Sequence, residues 1–261
     1  MSTATGASRL EAFAERLNVV VSAAGLVLVW MVLSRGGVIG QVPGPVAVAA
    51  AMSDLLVNPT IHGSVITSLV HIVGSFLVAA VLAVPLGLAI GWSTVVHDLL
   101  LPSLEILRPV PPIAWIPLTI LVLPTMRTSI MFITFVGAFF PILLNTIRGV
   151  HEIETDYVRA VRSLGGSRAD VFRHVVYPAA LPSIHTGLIV GMGLAWVNLV
   201  AAEMVADQGI GRYVWVAYTS GSYANIVASV VIIGAFGYAS SEIVRRIGST
   251  QLQWTGQSDG E

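Results

Sequence analysis

Long apolar runs separated by short polar stretches dominate the hydrophobicity pattern of the chain. Six of these runs approach the roughly 20 residues that an α-helix needs to cross the hydrocarbon core of a bilayer. The pattern therefore predicts an all-α, polytopic membrane protein with a transmembrane domain over residues 17–250, an N-terminal tail over 1–16 and a C-terminal tail over 251–261. The six runs are Leu17–Leu33, Val65–Trp92, Leu99–Leu123, Ser129–Val150, Ser183–Met204 and Ile226–Ile247.

Two of the runs need separate interpretation. The first follows Arg9 and Arg16, as the apolar part of a signal peptide would, but it is long and no clear small-residue cleavage site follows it, so we interpret it as a retained span. The third contains five prolines, which remove backbone donors and clash with the preceding turn. We expect this span to be kinked or broken into two half-helices. Its prolines are Pro102, Pro109, Pro111, Pro112 and Pro117.

Composition supports the membrane assignment and excludes several kinds of chemistry. The chain is 55% hydrophobic and 10% charged, whereas soluble domains are about 25% charged. Its net charge of −1 disfavours a nucleic-acid partner. It has no cysteine, hence no disulfide or thiolate metal site, and its histidines show no metal-binding spacing.

All 13 basic residues are Arg. Since a phosphate-binding P-loop needs a Lys, ATP chemistry is expected on another polypeptide, with no cofactor or catalytic residue here.

The arginines predict an orientation. With six spans, both termini lie on one side, and nine arginines fall on that side against three on the other. Cytoplasmic loops carry the excess of basic residues, so both termini are predicted to be cytoplasmic. The inner set is Arg9, Arg16, Arg148, Arg159, Arg162, Arg168, Arg173, Arg245 and Arg246, and the outer set is Arg35, Arg127 and Arg212.

Small residues at four-residue spacing occur within the spans. Ala79, Ala83, Gly87 and Gly91 form one such series, and Gly187 with Gly191 begins another. Such stripes let helix backbones approach closely in lipid. Helix packing is the favoured interpretation.

The longest inner loop, residues 151–182, is predicted to fold as a helical hairpin. Tyr157, Ala160, Val161 and Leu164 recur at the spacing of one helical face. Gly165-Gly166 can stop that helix in the left-handed conformation.

A second helix is expected to follow at once. Ser167-x-x-Asp170 has the pattern of a capping box, and Val171, Phe172, Val175 and Val176 supply an apolar face. The prolines at 178 and 182 are expected to end this helix before the next span. The residues alone leave two partners open for the hairpin, anionic lipid headgroups or another protein.

The spacing within this loop resembles the EAA motif of ABC importer permeases: E-A-A, three residues, G, nine residues, I-x-L-P. The corresponding positions here are Arg159-Ala160-Val161, Gly165 and Val175-x-Tyr177-Pro178. Ala, Gly and Pro are kept, while Arg replaces the Glu. Further similarity to the nitrate/sulfonate/taurine branch extends over residues 40–250. It includes Pro85–Leu88, Arg108–Leu118, Phe140–Leu143, Ala195-Trp196, Ala202–Met204 and Gly209–Gly211.

The resemblance implies a type I importer permease fold in a bacterial inner membrane. It implies a non-catalytic subunit that works with an ATPase, an extracytoplasmic solute-binding protein and a second permease copy, in contact with membrane lipid. The implied cargo is a small anion such as an aliphatic sulfonate, taurine or nitrate. The residues to which the resemblance gives the ATPase-coupling role are Arg159, Ala160, Leu164, Gly165, Ser167, Phe172 and Pro178.

The translocation pathway is predicted from polar residues inside the spans, where ionisable groups are costly. The ionisable ones considered are Glu105, Arg108, His185 and Glu203. We assign Arg108, Asn198 and Glu203 to the pathway. Two structural alternatives remain open: Glu105 and Arg108 could neutralise each other at i, i+3, and Glu203 could pair with a neighbouring helix.

Two other functions compete with the permease interpretation. An ion-coupled secondary transporter that does not use ATP would need its own intramembrane coupling site, for which Glu105 and Glu203 are the acidic candidates. An intramembrane enzyme would need a catalytic pair inside the spans, and the sequence provides no clear one.

Overall fold

The computed structural model describes residues 21, 22, 24–35 and 40–251, and these residues form helices and connecting turns without a β-strand. Within the described part of the chain, a 3-10 turn (Pro112–Trp115) and a π-helical turn (Phe172–Val176) join helices. The helices are α1 (Ala24–Arg35), α2 (Pro45–Val57), α3 (Pro59–Trp92), α4 (Thr94–Leu107), α5 (Ile116–Val122), α6 (Met126–His151), α7 (Thr155–Ser163), α8 (Arg168–Val171), α9 (Tyr177–Val205), α10 (Gly209–Thr219) and α11 (Tyr223–Gln251).

Four described helical segments are long and apolar enough to cross a membrane, namely α3, α6, the continuous stretch Arg168–Val205, and Tyr223–Gly248 of α11. The bent pair Thr94–Leu107 and Pro112–Val122 adds a fifth span when taken as one. These five correspond to the second to sixth apolar runs of the sequence. The first run begins outside the described residues, and its described part is the short helix α1. The count of six therefore stays a prediction.

The third span is broken, as its prolines predict. Helix α4 ends at Leu107, and the chain turns by 83° before continuing from Pro112 into α5. Prolines 109, 111 and 112 cause the break, because each lacks a backbone donor and because Pro111, the residue before Pro112, has left the helical conformation with ψ 133°.

The chain divides into two compact units. One comprises the described residues up to 58 together with 216–230, and the other comprises residues 59–215 and 231–251. In the described part of the first unit, the indole Nε1 of Trp30 donates to the carbonyl of Pro43 at 3.1 Å. Helix α2, which the sequence analysis does not predict as an element, starts in this unit with a proline in its first turn, where no donor is needed.

The second unit is built around α6, which packs between α3 and α9. Glycines bring the backbones together: a Cβ on Gly87 of α3 would lie 2.7 Å from Thr146, and one on Gly191 of α9 would lie 2.8 Å from Ile142. The order of the contacts shows that α3 runs parallel to α6 and that α9 runs antiparallel to it. The predicted role of the small-residue stripes in helix packing is thus confirmed.

One expectation about the hairpin was wrong. The second hairpin helix does not end before Pro178, because Arg168–Val205 forms one continuous helical stretch. The π-turn explains how. The amide of Tyr177 donates to the carbonyl of Phe172, five residues earlier, so the backbone widens where Pro178 follows. A wider turn accommodates a ring that a regular α-helix would exclude.

Candidate coupling hairpin and buried carboxylate cluster

The turn of the hairpin is closed by a Schellman motif. The Gly166 amide donates to the carbonyl of Val161 at 3.0 Å and the Gly165 amide donates to the carbonyl of Arg162 at 3.0 Å. Gly165 has φ +84°, a left-handed conformation that costs other residues energy. The predicted glycine stop after α7 is confirmed.

The second hairpin helix opens with the predicted capping box. The Ser167 hydroxyl accepts from the Asp170 amide at 3.2 Å, and the Asp170 carboxylate accepts from the Ser167 amide at 2.9 Å and from its hydroxyl at 2.6 Å. The hydrogen bonds from the hydroxyl and then the amide of Ser167 lower the pKa of the Asp170 carboxyl below its usual value. Both ends of the turn are therefore fixed by local hydrogen bonds.

The apolar face of α7 points largely away from the protein. Leu164 is 89% exposed and Tyr157 is 61% exposed, and Ala160 is also exposed. Val158 and Val161 instead pack against the buried cluster formed around Val171 and Val176. The helical periodicity was predicted correctly, but only Val161 of the predicted face packs on this chain. The remaining face is available to another molecule.

The other coupling candidates lie along the same hairpin. Arg159 is exposed and its Nη1 lies 3.4 Å from Oδ1 of Asp156. Phe172 is half-buried, with its ring centroid 6.1 Å from that of Trp92 at the end of α3. Pro178 is half-buried at the start of α9. The hairpin thus combines an exposed charged residue, Arg159, with a packed aromatic residue, Phe172.

A buried carboxylate cluster lies toward the opposite end of the α3–α6–α9 bundle. Glu203 of α9 is fully buried. The Ser68 hydroxyl of α3 lies 2.8 and 2.7 Å from its two oxygens, and Nδ1 of His71 lies 3.0 Å from Oε1. An ionised Glu203 would accept here from the His71 tautomer that carries its proton on Nδ1.

The same carboxylate satisfies the first turn of α10. The Gly211 amide donates to Oε2 of Glu203 at 3.1 Å, and the Ile210 amide donates to the Ser68 hydroxyl at 2.9 Å. The first amides of a helix have no partner within it and favour negative charge nearby. Glu203 and Ser68 therefore anchor the start of α10 to α3 and α9.

Gly209 and Gly211 leave room for this carboxylate. Gly209 has φ +80°, and a Cβ there would collide with the Glu203 carboxyl group. A Cβ on Gly211 would lie 2.7 Å from the Cβ of Glu203. The Gly209-Ile210-Gly211 segment noted in the sequence thus has a steric role.

Two buried polar atoms of α3 beside the cluster have no hydrogen-bond partner in the described part of the chain, Nε2 of His71 and Oγ of Ser75. The ionisable residues considered from the sequence do not include His71, although it lies within the second apolar run. The sequence could have identified His71 as a candidate, since an ionisable side chain inside a span is rare. It could not have identified the partner of His71, because Glu203 is 132 positions away.

The structure does not gather the three predicted pathway residues at one point. Asn198 is buried against Gly137 of α6, and its amide donates to the carbonyl of Leu194 at 2.8 Å. Glu203 faces α3 and α10, whereas Arg108 is exposed at the end of α4. For Glu203 the helix-pairing alternative is realised. No ion pair between Glu105 and Arg108 is found among the described residues.

Among the described residues, no group of three or more His, Cys, Asp or Glu side chains could hold a metal ion. Buried polar side chains of the described residues that form hydrogen bonds do so either with carbonyls of their own helix, as Thr134 and Thr146 do, or between helices, as in the Glu203 cluster.

An apolar helical bundle with a broken span and a capped hairpin is the architecture of a polytopic helical membrane protein. Residues 83–248 match the family described as binding-protein-dependent transport system inner membrane component, and the chain belongs to that family. It is a non-catalytic permease of ABC importers, a family whose members work with an ATPase and a substrate-binding protein. The ion-coupled and enzymatic alternatives are thereby set aside.

Three relatives illustrate the similarity. The chain is 34% identical over 227 residues to the nitrate import permease protein NrtB of Synechocystis sp., covering 83% of this chain and 82% of the relative. It is 34% identical over 231 residues to NrtB of Leptolyngbya laminosa, covering 85% and 82%. It is 32% identical over 226 residues to the bicarbonate transport system permease protein CmpB of Synechococcus elongatus, covering 82% and 81%.

Proposed function

We propose that the hairpin, residues 151–182, docks on the ATPase subunit from the cytoplasmic side of a bacterial inner membrane. ATP is bound and hydrolysed by that subunit, and this chain binds no cofactor. The positive-inside arrangement of arginines supports the cytoplasmic placement of the hairpin and of both termini.

The observation that carries this proposal is the exposure of Leu164 at the tip of a rigid turn. A leucine that is 89% exposed beside a Schellman motif and a capping box is fixed in position, yet it contacts little of its own chain. Exposed apolar side chains that share one face, as Tyr157, Ala160 and Leu164 do, mark sites of interaction with a protein or a membrane. The continuous helix from Arg168 into α9 supplies the rigid connection that would transmit movement of the hairpin to the span.

Co-purification of the ATPase with the Leu164→Ser permease tests this docking. We expect the variant to bind the ATPase at least tenfold more weakly, because an interface anchor contributes more than about 1.4 kcal/mol. Ser163→Ala is the matched control, since Ser163 is exposed on the same helix but off the Tyr157–Leu164 face. Equal ATPase binding by Leu164→Ser and wild type would exclude the tip as the docking point.

We further propose that two copies of the chain form the pathway. Helix α4 has no buried residue within the single chain, although it belongs to the broken span. One side of α4 packs partly on the core, while the other side leaves Val95, Leu99 and Ile106 exposed and is suited to face a second copy. Size measurement of the purified complex tests this, with two permease chains as the expected result and one as the contradicting result.

The proposed cargo is a small anion, with nitrate, bicarbonate, a sulfonate or taurine as the candidates. The names of the relatives, nitrate and bicarbonate import permeases, support this class. Arg108 is exposed at the break between α4 and α5, where a positive charge could attract an anion. Asn198 and Glu203 would support the pathway indirectly, by packing together the helices that form it.

Uptake of each candidate anion by wild type and Arg108→Ala tests the cargo proposal. We expect import of one of these anions by wild type and reduced import by Arg108→Ala, with Arg127→Ala as a control that removes an exposed arginine elsewhere. Unchanged uptake of every anion by Arg108→Ala would remove Arg108 from the pathway. Import of a neutral or cationic solute alone would reject the anion class.

The remaining proposed partner is membrane lipid. Large apolar side chains are exposed along α3, including Leu77, Val78 and Val81. Such a surface is suited to acyl chains rather than water.

A further inference from the structure

A groove lies between the end of α3 and the base of the hairpin. Its volume is about 1150 Å³, larger than the roughly 300–1,000 Å³ of typical small-molecule sites. Leu88, Ala89 and Trp92 of α3 form one apolar wall and Phe172 contributes the other. The Trp92 and Phe172 rings contact each other at its end.

Two arginines border the same groove. Arg168 and Arg173 line it from the hairpin side, and both are exposed. Neither guanidinium forms an ion pair with a carboxylate in the described part of the chain. The acidic residue of the second hairpin helix, Asp170, attracts Arg173 electrostatically, but it is hydrogen-bonded by Ser167 and forms no ion pair with either arginine. Both arginines are therefore able to bind an external anion.

The position of the groove, at the end of α3, indicates what kind of molecule occupies it. Its apolar wall is the last two turns of a membrane-spanning helix that ends at Trp92, and tryptophan is enriched where the hydrocarbon core meets the headgroups. With Trp92 at that boundary, the arginines would stand at headgroup level and the apolar wall would face acyl chains, an arrangement that suits a lipid better than a soluble partner.

We propose that this groove binds one anionic phospholipid, with its phosphate on Arg168 and Arg173 and an acyl chain against Leu88, Ala89 and Trp92. Guanidinium groups bind phosphate oxygens through paired, charge-assisted hydrogen bonds. The lipid would bridge α3 and the base of the hairpin. It would therefore hold the hairpin in place for coupling, a consequence that rests on the proposed docking of the ATPase.

Native mass spectrometry of the transporter, purified with its ATPase in neutral detergent, tests the site. Titration with phosphatidylglycerol is expected to give tighter retention than titration with phosphatidylcholine. The double variant Arg168→Gln/Arg173→Gln should bind phosphatidylglycerol about thirtyfold more weakly, at the usual contribution of a basic residue near a membrane surface. The matched control Arg245→Gln/Arg246→Gln, which removes two arginines from α11, should bind it like wild type.

A second variant tests the apolar wall. Ala89 is exposed in the groove, so Ala89→Phe should fill it and reduce lipid retention while leaving both arginines and the fold intact. Inorganic phosphate should not displace the lipid, because it lacks the acyl contact. Equal retention by wild type and the double arginine variant, or equal retention of the neutral lipid by wild type, would overturn the proposal.

The proposed ATPase docking and the proposed lipid site can be rejected independently of each other. Leu164→Ser should lose the ATPase and keep the lipid. If the double arginine variant instead loses the ATPase and keeps the lipid, the arginines contact the ATPase and the lipid site is wrong. Lipid retention by a permease that binds no ATPase would leave the lipid site standing and reject the docking proposal.

Discussion

Ser68 and Glu203 lie 135 positions apart in the chain, yet the Ser68 hydroxyl stands 2.7 and 2.8 Å from the two oxygens of the Glu203 carboxylate. The contact joins the beginning of α3 to the end of α9, and His71 and the Gly211 amide complete it. Buried charges persist in proteins when such partners satisfy them. The cluster therefore stabilises the end of the bundle from which α10 starts.

Removal of the carboxylate should destabilise the protein strongly. Glu203→Ala leaves His71, Ser68 and the Gly211 amide without their acceptor, and each buried donor left unsatisfied is expected to cost about 1–3 kcal/mol. Glu203→Gln keeps one acceptor oxygen and should cost less, about 1–3 kcal/mol. Thermal unfolding in detergent measures both, with Glu105→Ala as an exposed control. A Glu203→Ala protein that unfolds at the wild-type temperature would contradict the stabilising role.

Gly209 and Gly221 form a matched pair for the steric claim. Both have positive φ, +80° and +72°, but a Cβ on Gly209 would collide with the Glu203 carboxyl group, whereas one on Gly221 has no neighbour within 4 Å. Gly221→Ala should show only the backbone strain of about 1–2 kcal/mol. Gly209→Ala should lower the unfolding temperature further. Equal losses from the two variants would mean that the carboxylate does not need this glycine.

A second pair tests the close approach of α6 and α9. A Cβ on Gly191 would lie 2.8 Å from Cγ1 of Ile142 and 3.1 Å from the carbonyl of Ala138, while Gly193 has open space. Gly191→Ala should destabilise by about 1–3 kcal/mol through overpacking. Gly193→Ala should be neutral or slightly stabilising, because alanine favours helix by about 1 kcal/mol. The same unfolding assay separates them, and a neutral Gly191→Ala would contradict the packing.

The capping box predicts a pH dependence within the hairpin. The folded pKa of Asp170 lies below its usual value because the Ser167 hydroxyl and amide bind the ionised form. The contribution of the carboxylate is therefore present above the ordinary Asp pKa of about 3.9 and is lost as pH falls through the lowered folded value.

Hydrogen exchange of the hairpin amides, corrected for intrinsic rates, measures this effect. Protection at Ser167 and Asp170 should stay constant from neutral pH down to about 4 and then decline. Asp170→Asn should lack that transition. A transition of the same size in the Asn variant would assign it to another group.

The sequence carries much of this architecture because its main features are local. Apolar length identifies the spans, the proline cluster after Leu107 breaks the third one, and the Ser167–Asp170 box marks a helix start. Each depends on residues within a few positions of one another, where backbone chemistry determines the outcome.

The features that the sequence did not reveal depend on distant pairs or on a competition between local signals. His71 is an ionisable residue, which is energetically costly inside a span, but its partner Glu203 lies on another helix. At Pro178 the local rule predicts a helix end, while the structure continues through a π-turn that widens the backbone just before this proline. The exposed half of the α7 face could not be separated from its buried half by periodicity alone.

The most direct test of the central claim uses the absence of cysteine from the chain. Leu164→Cys introduces a single thiol at the hairpin tip, and Thr125→Cys introduces one at the opposite end of the bundle, at the start of α6. Each is labelled with a photoreactive maleimide in membranes that contain the ATPase, and the cross-linked products are identified. We predict that the ATPase is captured from position 164 and not from position 125. Capture from position 125, or no capture from 164 in an active transporter, would contradict the proposed coupling hairpin.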